Sequence, residues 1–381
     1  MSYPAASGAQ SPASKPLRVG IIGCGKIAIN HVHALQAIEG VEVSAVVDVD
    51  AQRARAFADA YGIRHAFDDV DAMLSSGIEV ATVCTPHPAH EANVLAAARH
   101  GVHVLCEKPI AVDLDQADRM IAATDAAGVW FGVVFQRRFW PAAQRIRAAI
   151  DEGRMTAPIT GSVIARFRRD AEYYAEPWRG RWDTEGGGVL INQAIHHVDL
   201  LLWFMGPAKR VFGRIATLAH GEFIEVEDTA VATIEFESGA LATIHASTTF
   251  DPGHGVQVLV SDRAGNTASV LEFPEGTGLT DVWSVGDERE YRDPYADAFR
   301  AGQPFDIPIA EIHGGLVPYH ALQIAEFIDA VRNGREPVVT GREARKSLAV
   351  IAAIYESSKT GMPIDLAATR SAGANAVTTA A

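Results

Sequence analysis

Leu17-Arg18-Val19-Gly20-Ile21-Ile22-Gly23-Cys24-Gly25-Lys26-Ile27-Ala28 is the stretch whose reading decides the fold. Its first half has the near-continuous apolar character of a strand buried on both faces. Gly23 permits a tight strand-to-helix turn. Gly25 leaves the backbone bare where a pyrophosphate approaches, and Ala28 keeps the third position small enough for a helix to close on the sheet. The helix that starts there offers free N–H groups and a positive dipole end to phosphates, so Cys24, Lys26 and Ile27 join the two glycines as expected cofactor contacts. A second apolar strand, Val43-Ser44-Ala45-Val46-Val47, ends at Asp48. That is about 20 residues on, where an acid bonds a ribose 2′-hydroxyl. Asp48 repels a 2′-phosphate, so NAD is favoured over NADP; Arg53, nearby, softens the preference.

Outward from this motif, strand and helix patterns alternate to about Phe135. Helices are expected at 26–38, 51–61, 88–100 and 113–126, and strands at 41–47, 80–84, 102–106 and 130–135. Such alternation implies an α/β fold with a doubly wound parallel sheet, a Rossmann domain over 17–138. The loops at the carboxyl ends of its strands should line the cofactor crevice. They bring in Thr85, Pro86, His87, Glu107, Lys108, Gln136 and Arg138. After Arg138 the pattern changes to helix 141–150, strand 159–168, helix 188–204, and strands near 209–217, 229–236, 241–249, 256–261, 268–273 and 280–285. Two amphipathic helices follow, 316–332 and 341–359. This is a second α/β domain, 139–366, with a large, open, mainly antiparallel sheet for substrate binding and oligomerisation. Thr243, His245 and Ser247 face one side of the 241–249 strand and Ala242, Ile244 and Ala246 the other, so one face of the sheet is expected to meet a partner subunit.

The chain has 381 residues, enough for two domains. A net charge of −14 argues against nucleic acid or an anionic membrane as partner. No apolar run has the length of a membrane span. Segment 1–16 lacks the apolar core of a signal peptide, and it and the Ala/Thr-rich 367–381 read as disordered tails. The three cysteines, Cys24, Cys84 and Cys106, lie in or beside buried strands with no metal or disulfide spacing, so free thiols in a cytoplasmic protein are expected.

Two clusters carry chemistry. Cys106-Glu107-Lys108-Pro109 closes a strand at the crevice, and a lysine there can bond a substrate hydroxyl and ease its proton away. Pro109 makes a cis peptide bond available. The second cluster is Glu185-Gly186-Gly187-Gly188 followed by Val189 to Asp199. On a regular helix Asn192, His196 and Asp199 share one face, while His197 points elsewhere and is structural. His196 suits a general base for an alcohol. Adjacent histidines do not converge on one ion, so no metal is expected. Between Arg166 and Trp182, arginines and aromatic residues including Trp178 either hold a sugar face or phosphate, or pair with the protein's own carboxylates. Tyr319 and His320 are candidate cleft residues on the 316–332 helix.

These motifs together resemble the glucose–fructose oxidoreductase/inositol dehydrogenase/rhizopine catabolism (Gfo/Idh/MocA) family. The resemblance rests on Gly23–Ala28, Thr85-Pro86, Glu107-Lys108-Pro109, Gly186–Asp199 and the closing Arg335-Glu336-Pro337 to Ser357 region. It implies that Lys108 and His196 flank the nicotinamide and bind the reacting hydroxyl; Arg138, Trp178, Asn192 and Tyr319 are expected, from their places in the sequence, as further substrate contacts. It also implies a homodimer or homotetramer packed through the open sheet. Inositol dehydrogenase-like members carry an aspartate where this chain has Asn192. An amide orients an imidazole without raising its basicity, which shifts proton transfer towards Lys108. The Asn-Gln-x-x-His-His-x-Asp form resembles members that oxidise C3 of sugars. The expected activity is therefore NAD-dependent oxidation of a ring hydroxyl, at C3, of a sugar, glycoside or nucleotide sugar. The alternatives are an inositol 2-dehydrogenase and a non-catalytic dinucleotide- or sugar-sensing regulator.

Overall fold

The computed structural model describes residues 15–366. The expected tails, 1–16 and 367–381, lie outside these residues apart from Lys15 and Pro16. The first sheet comprises β1 (Leu17–Ile22), β2 (Val41–Val47), β3 (His65–Phe67), β4 (Val80–Val83), β5 (His103–Cys106) and β6 (Phe131–Val133). Its order is β3-β2-β1-β4-β5-β6, parallel throughout. The order reverses between β1 and β4, and that switch point opens a crevice at the carboxyl ends of the strands. Asp50 and Asp113 cap the helices Ala51–Tyr61 and Leu114–Ala127, which end at left-handed Gly62 and Gly128. The helix Ala28–Gln36 has no side-chain cap.

The second sheet comprises β7 (Pro158–Arg166), β8 (Ala208–Ala216), β9 (Thr229–Phe236), β10 (Leu241–Ser247), β11 (Gly255–Asp262), β12 (Thr267–Glu272), β13 (Val282–Val285), β14 (Glu288–Tyr291) and β15 (Ile364–Asp365). Its order is β14-β13-β12-β11-β7-β10-β9-β8-β15. β7 and β10 run parallel in an otherwise antiparallel sheet. The helices Ile195–Met205 and Gly341–Thr360 cover one face. In β9 the residues Ala230, Ala232, Ile234 and Phe236 point into that layer, whereas Val231 faces out. Glycine permits the close approach: a Cβ at Gly161 would stand 2.5 Å from Met205 Sδ. The opposite face is open and carries Phe212, Val231 and Leu241 at 47%, 49% and 61% exposure.

Two of the differences from the sequence reading bear on how the site is placed. The late helix starts at Ile309, ahead of the expected Leu316, and runs to Arg332 with Pro318 inside it. Its Ile324, Phe327 and Ile328 pack with Val19, Ile21, Val32 and Leu35 of the first domain. This helix, which falls within the expected second domain, thus packs on the Rossmann unit.

The second concerns the turn after β6, Gln136–Phe139, which ties the two sheets together. Arg137 Nε and Nη2 donate to Glu272 at 3.0 and 2.6 Å, and Glu272 also meets His197 Nε2 at 2.6 Å. Arg138 Nε and Nη2 donate to the two Asp199 oxygens at 2.7 Å each. All five side chains are buried. Burial favours a neutral Glu272, but Arg137 and His197 override it and hold the carboxyl low. Arg138, expected to touch substrate, instead spends its guanidinium on Asp199, and Asp199 faces this pair and not the site. The cause is a wide π-turn over Leu190–Ala194 ahead of the helix Ile195–Met205, which shifts the helical phase and separates Asp199 from Asn192.

Candidate active site

Lys108 emerges where the buried strand β5 ends, and its peptide bond to Pro109 is cis. Glu107 beside it turns inward. Its Oε1 meets His31 Nε2 at 3.0 Å and His320 Nε2 at 3.6 Å, and its Oε2 accepts the Lys108 N–H at 3.2 Å. Burial raises the Glu107 carboxyl, and the two imidazoles more than reverse that. Glu107, expected to touch the cofactor, is therefore satisfied within the protein and anchors the loop that presents Lys108.

Lys108 Nζ donates to the backbone oxygen of Asn192 at 2.8 Å and lies 3.4 Å from Asn192 Oδ1. Burial pushes the amine down to about 8, helped by Arg137 and Arg179 and opposed by Glu107 and Glu185. His196 is buried one turn beyond Asn192, with its ring edge-on to Phe135 at 5.5 Å and its Nδ1 without a hydrogen-bond partner among the described residues. Burial, with Arg137 and Lys108 nearby, pushes its pKa well below the usual histidine range, so the ring is a neutral imidazole. Of the two groups Lys108 is the stronger base, able to accept a proton once its amine is freed as pH rises through about 8, and His196 is suited to hydrogen-bond a hydroxyl. The first and second lobes thus bring Lys108 and Asn192 together, with His196 one turn on beside Phe135.

Sequence reasoning gave Glu185 no role. Its buried Oε2 accepts the Gly180 N–H at 2.5 Å, and its Oε1 accepts from Asn192 Nδ2. Its backbone oxygen meets His87 Nδ1 at 3.1 Å, and His87 lies edge-on to Trp178 at 5.2 Å. His87 and Trp178 thereby pack against the segment that carries Glu185. An acid directly before three glycines was the available signal. Glu227 was also missed: it accepts the Gly188 and Leu190 N–H groups at 2.8 and 3.0 Å and so fixes the start of the π-turn. Gly188 is required there, since a Cβ would stand 1.9 Å from the Glu227 carbonyl oxygen.

The arginine–aromatic segment resolves towards the protein's own acids. Arg168, Arg169, Arg179 and Arg181 pair with Asp251, Glu275, Glu185 and Glu225. Tyr319 packs edge-on to Trp140 at 6.3 Å, and it is its neighbour His320 that reaches Glu107.

The dinucleotide contacts fit NAD. Gly23 has φ +91°, and a Cβ there would meet the Cys84 carbonyl oxygen at 3.0 Å. Nothing lies within 4 Å of a Cβ built at Gly25. The uncapped start of the Ala28–Gln36 helix, with Lys26 and Ile27 before it, faces that space. Thr85 and Pro86 form the neighbouring strand-end loop, and Thr85 Oγ1 is held by Asn93 Nδ2 at 3.3 Å. Gln136 Oε1 is buried with no hydrogen-bond partner among the described residues. Asp48 accepts the Cys24 N–H at 2.9 Å and Arg53 Nη1 at 3.1 Å. Burial and Asp48 push the Cys24 thiol up to about 12, which leaves it inert. Asp48→Ser should release Arg53 and move the NADH:NADPH affinity ratio towards NADPH on the order of 100-fold, because a like-charge clash becomes an ion pair. Calorimetric titration of both reduced cofactors measures this without any substrate, and an unchanged ratio would remove Asp48 from that role.

Residues 17–135 match a family model described as an oxidoreductase family with an NAD-binding Rossmann fold, and residues 143–266 match the GFO/IDH/MocA C-terminal domain. The chain is 28% identical over 359 residues to D-apiose dehydrogenase of Paraburkholderia graminis, covering 92% of this chain and 90% of that protein. It is 28% identical over 379 residues to D-glucoside 3-dehydrogenase of Escherichia coli, covering 93% and 98%. Among solved structures, the WlbA dehydrogenase of Bordetella pertussis in complex with NADH and UDP-GlcNAcA superposes with a TM-score of 0.76 at 31% identity, covering 92% of this chain and 98% of that one.

Proposed function

The chain belongs to the GFO/IDH/MocA oxidoreductase family, and from that premise we propose that it oxidises a ring secondary hydroxyl, at C3, of a sugar, glycoside or nucleotide sugar to the keto sugar. NAD, when bound, supplies the hydride acceptor. The reading is supported by the grip of Asn192 on Lys108 at the carboxyl end of the first sheet, with the buried His196 imidazole one helical turn on from Asn192. The carbinol proton passes to Lys108 Nζ, which the Asn192 backbone oxygen holds in place. The neutral His196 imidazole bonds the same hydroxyl and orients its C–H. A bare sensor has no need of a lysine with a lowered pKa beside a buried imidazole. The C3 position is favoured by the likeness to D-glucoside 3-dehydrogenase. It is favoured also by Asn192, which stands where inositol dehydrogenase-like members carry an aspartate.

The test is a panel of methyl glycosides, UDP-sugars and inositols with NAD, read by reduced-nicotinamide absorbance and by NMR of the product. The highest kcat/KM should fall on a pyranoside that yields a 3-keto product. A higher value on an inositol would overturn the choice of substrate class. The open face of the second sheet, with Phe212, Val231 and Leu241 exposed, packs on a second copy of the chain in this reading. Sedimentation giving a monomer would refute that part.

A further inference from the structure

Asn192 is the only residue through which the second lobe grips Lys108 by hydrogen bonds among the described residues, and its amide has two possible orientations. One has Oδ1 towards the Lys108 ammonium. The other has Nδ2 there, donor against donor. Glu185 decides between them. Its Oε1 accepts from Asn192 Nδ2, which also donates to Tyr173 Oη at 3.2 Å. Its other oxygen is fixed by the Gly180 N–H, and Arg179 Nη1 lies 3.7 Å from Oε1. Every neighbour of the two oxygens is a donor, so the ionised carboxylate is the form that fits. This holds although burial raises the group above the ordinary carboxyl range.

We propose that Glu185 is a positioning residue for proton transfer: it holds the Asn192 amide with its oxygen towards Lys108 and places a negative charge near the amine. The inference rests on the reading of Lys108 given under the proposed function. The Lys108 amine is faced by Glu107 at the end of β5, by Arg137 from the Gln136–Phe139 turn, and by Arg179 and Glu185 from the segment before the π-turn. It is faced also by His87 from the Thr85 loop, by His196, and by His313 from the Ile309–Arg332 helix. Only Glu107 and Glu185 among these are acids. Glu107 has the larger influence on the amine and bonds two imidazoles, whereas Glu185 is the acid that also bonds the Asn192 amide and so acts on the Lys108–Asn192 pair.

The decisive variant is Glu185→Gln, which keeps the shape and removes the charge. The Lys108 titration is followed by NMR of isotope-labelled lysine side chains in the full-length protein without substrate. The signal is assigned by its absence in Lys108→Ala. Removing a nearby anion destabilises the ammonium, so the Lys108 midpoint should fall by about one pH unit. Turnover at saturating NAD and sugar should drop about tenfold as the amine loses its orientation, and NADH affinity should stay as in the wild type. A folded, NADH-binding Glu185→Gln protein with an unmoved Lys108 midpoint, or with turnover within twofold of wild type, overturns the proposal. If Glu185→Gln does not fold, Glu185→Asp decides. It keeps the charge but retracts the carboxylate, so turnover should fall with little change in midpoint, and undiminished turnover overturns the proposal. The midpoint needs no sugar and decides alone if none in the panel is oxidised. Failure of the substrate assignment and failure of the Glu185 role are therefore read separately.

Discussion

Lys108→Ala should lower turnover by on the order of 10³-fold, the contribution expected of a positioned proton-transfer group, while NADH binds as before. The separation follows from the geometry. In the proposed reading the glycine turn, Asp48 and the open start of the Ala28–Gln36 helix hold the dinucleotide, and among the described residues the hydrogen bonds of the lysine amine go to Asn192 instead. Glu107 should survive the change intact, because its oxygens are occupied by His31, His320 and a backbone N–H that alanine retains. The pH profile adds a second signature. The Lys108 amine is pushed down to about 8, so in the oxidation direction kcat/KM should rise with pH through that value as the free amine appears. The residual rate of Lys108→Ala should lack this limb. Arginine at the same position should not restore it, since a guanidinium does not give up its proton in this range. Steady-state kinetics with fluorescence titration of NADH check each point. Near-wild-type turnover in the alanine variant would end the assignment.

Arg138→Leu should cost about 3–5 kcal/mol of stability, measured as a shift of the urea midpoint, because it leaves a buried carboxylate without its cation. The comparison that decides the mechanism is Arg210→Leu, which breaks a pair with Asp365 in which both side chains are half-exposed and should cost only a small fraction of that. The deficit of Arg138→Leu should shrink on acidification. Burial already pushes the Asp199 carboxyl up, and Arg138 opposes that rise. Without the arginine the folded state holds its proton more tightly than the unfolded chain does. The folded state then binds more protons, so its relative stability grows as pH falls through the folded Asp199 value. The gain is complete below the unfolded value of about 3.9 and is lost again as pH rises. A deficit independent of pH would mean that the loss is one of packing alone.

The first domain was legible because its information is local. The apolar run before Gly23, the spacing to Asp48 and the alternation to Phe135 each follow from a few neighbouring residues. The short strand His65–Phe67 and helix Val70–Ser75 escaped because three to six residues carry too little periodicity. Strand β14 and the helix Pro294–Arg300 escaped for the same reason. The site was half legible. Lys108, Asn192 and His196 stand in strings whose residue types announce chemistry, whereas the partners that set their states come from far along the chain. Arg138 looked like a free cation at a crevice loop. Its carboxylate lies 61 residues on, and nothing local says that they meet. Asn192, His196 and Asp199 looked like one face because regular spacing was assumed, and the π-turn at Leu190–Ala194 breaks that assumption.

The two adjacent arginines also bear on protein engineering. A chimera that joins this dinucleotide half to the substrate half of another dehydrogenase would naturally be spliced near residue 138. Such a splice imports both guanidinium groups and discards Asp199 and Glu272, leaving two buried cations to find new counterions. A graft that carries those two acids along, and keeps the Ile309–Arg332 helix with the half it packs on, stands the better prospect of folding.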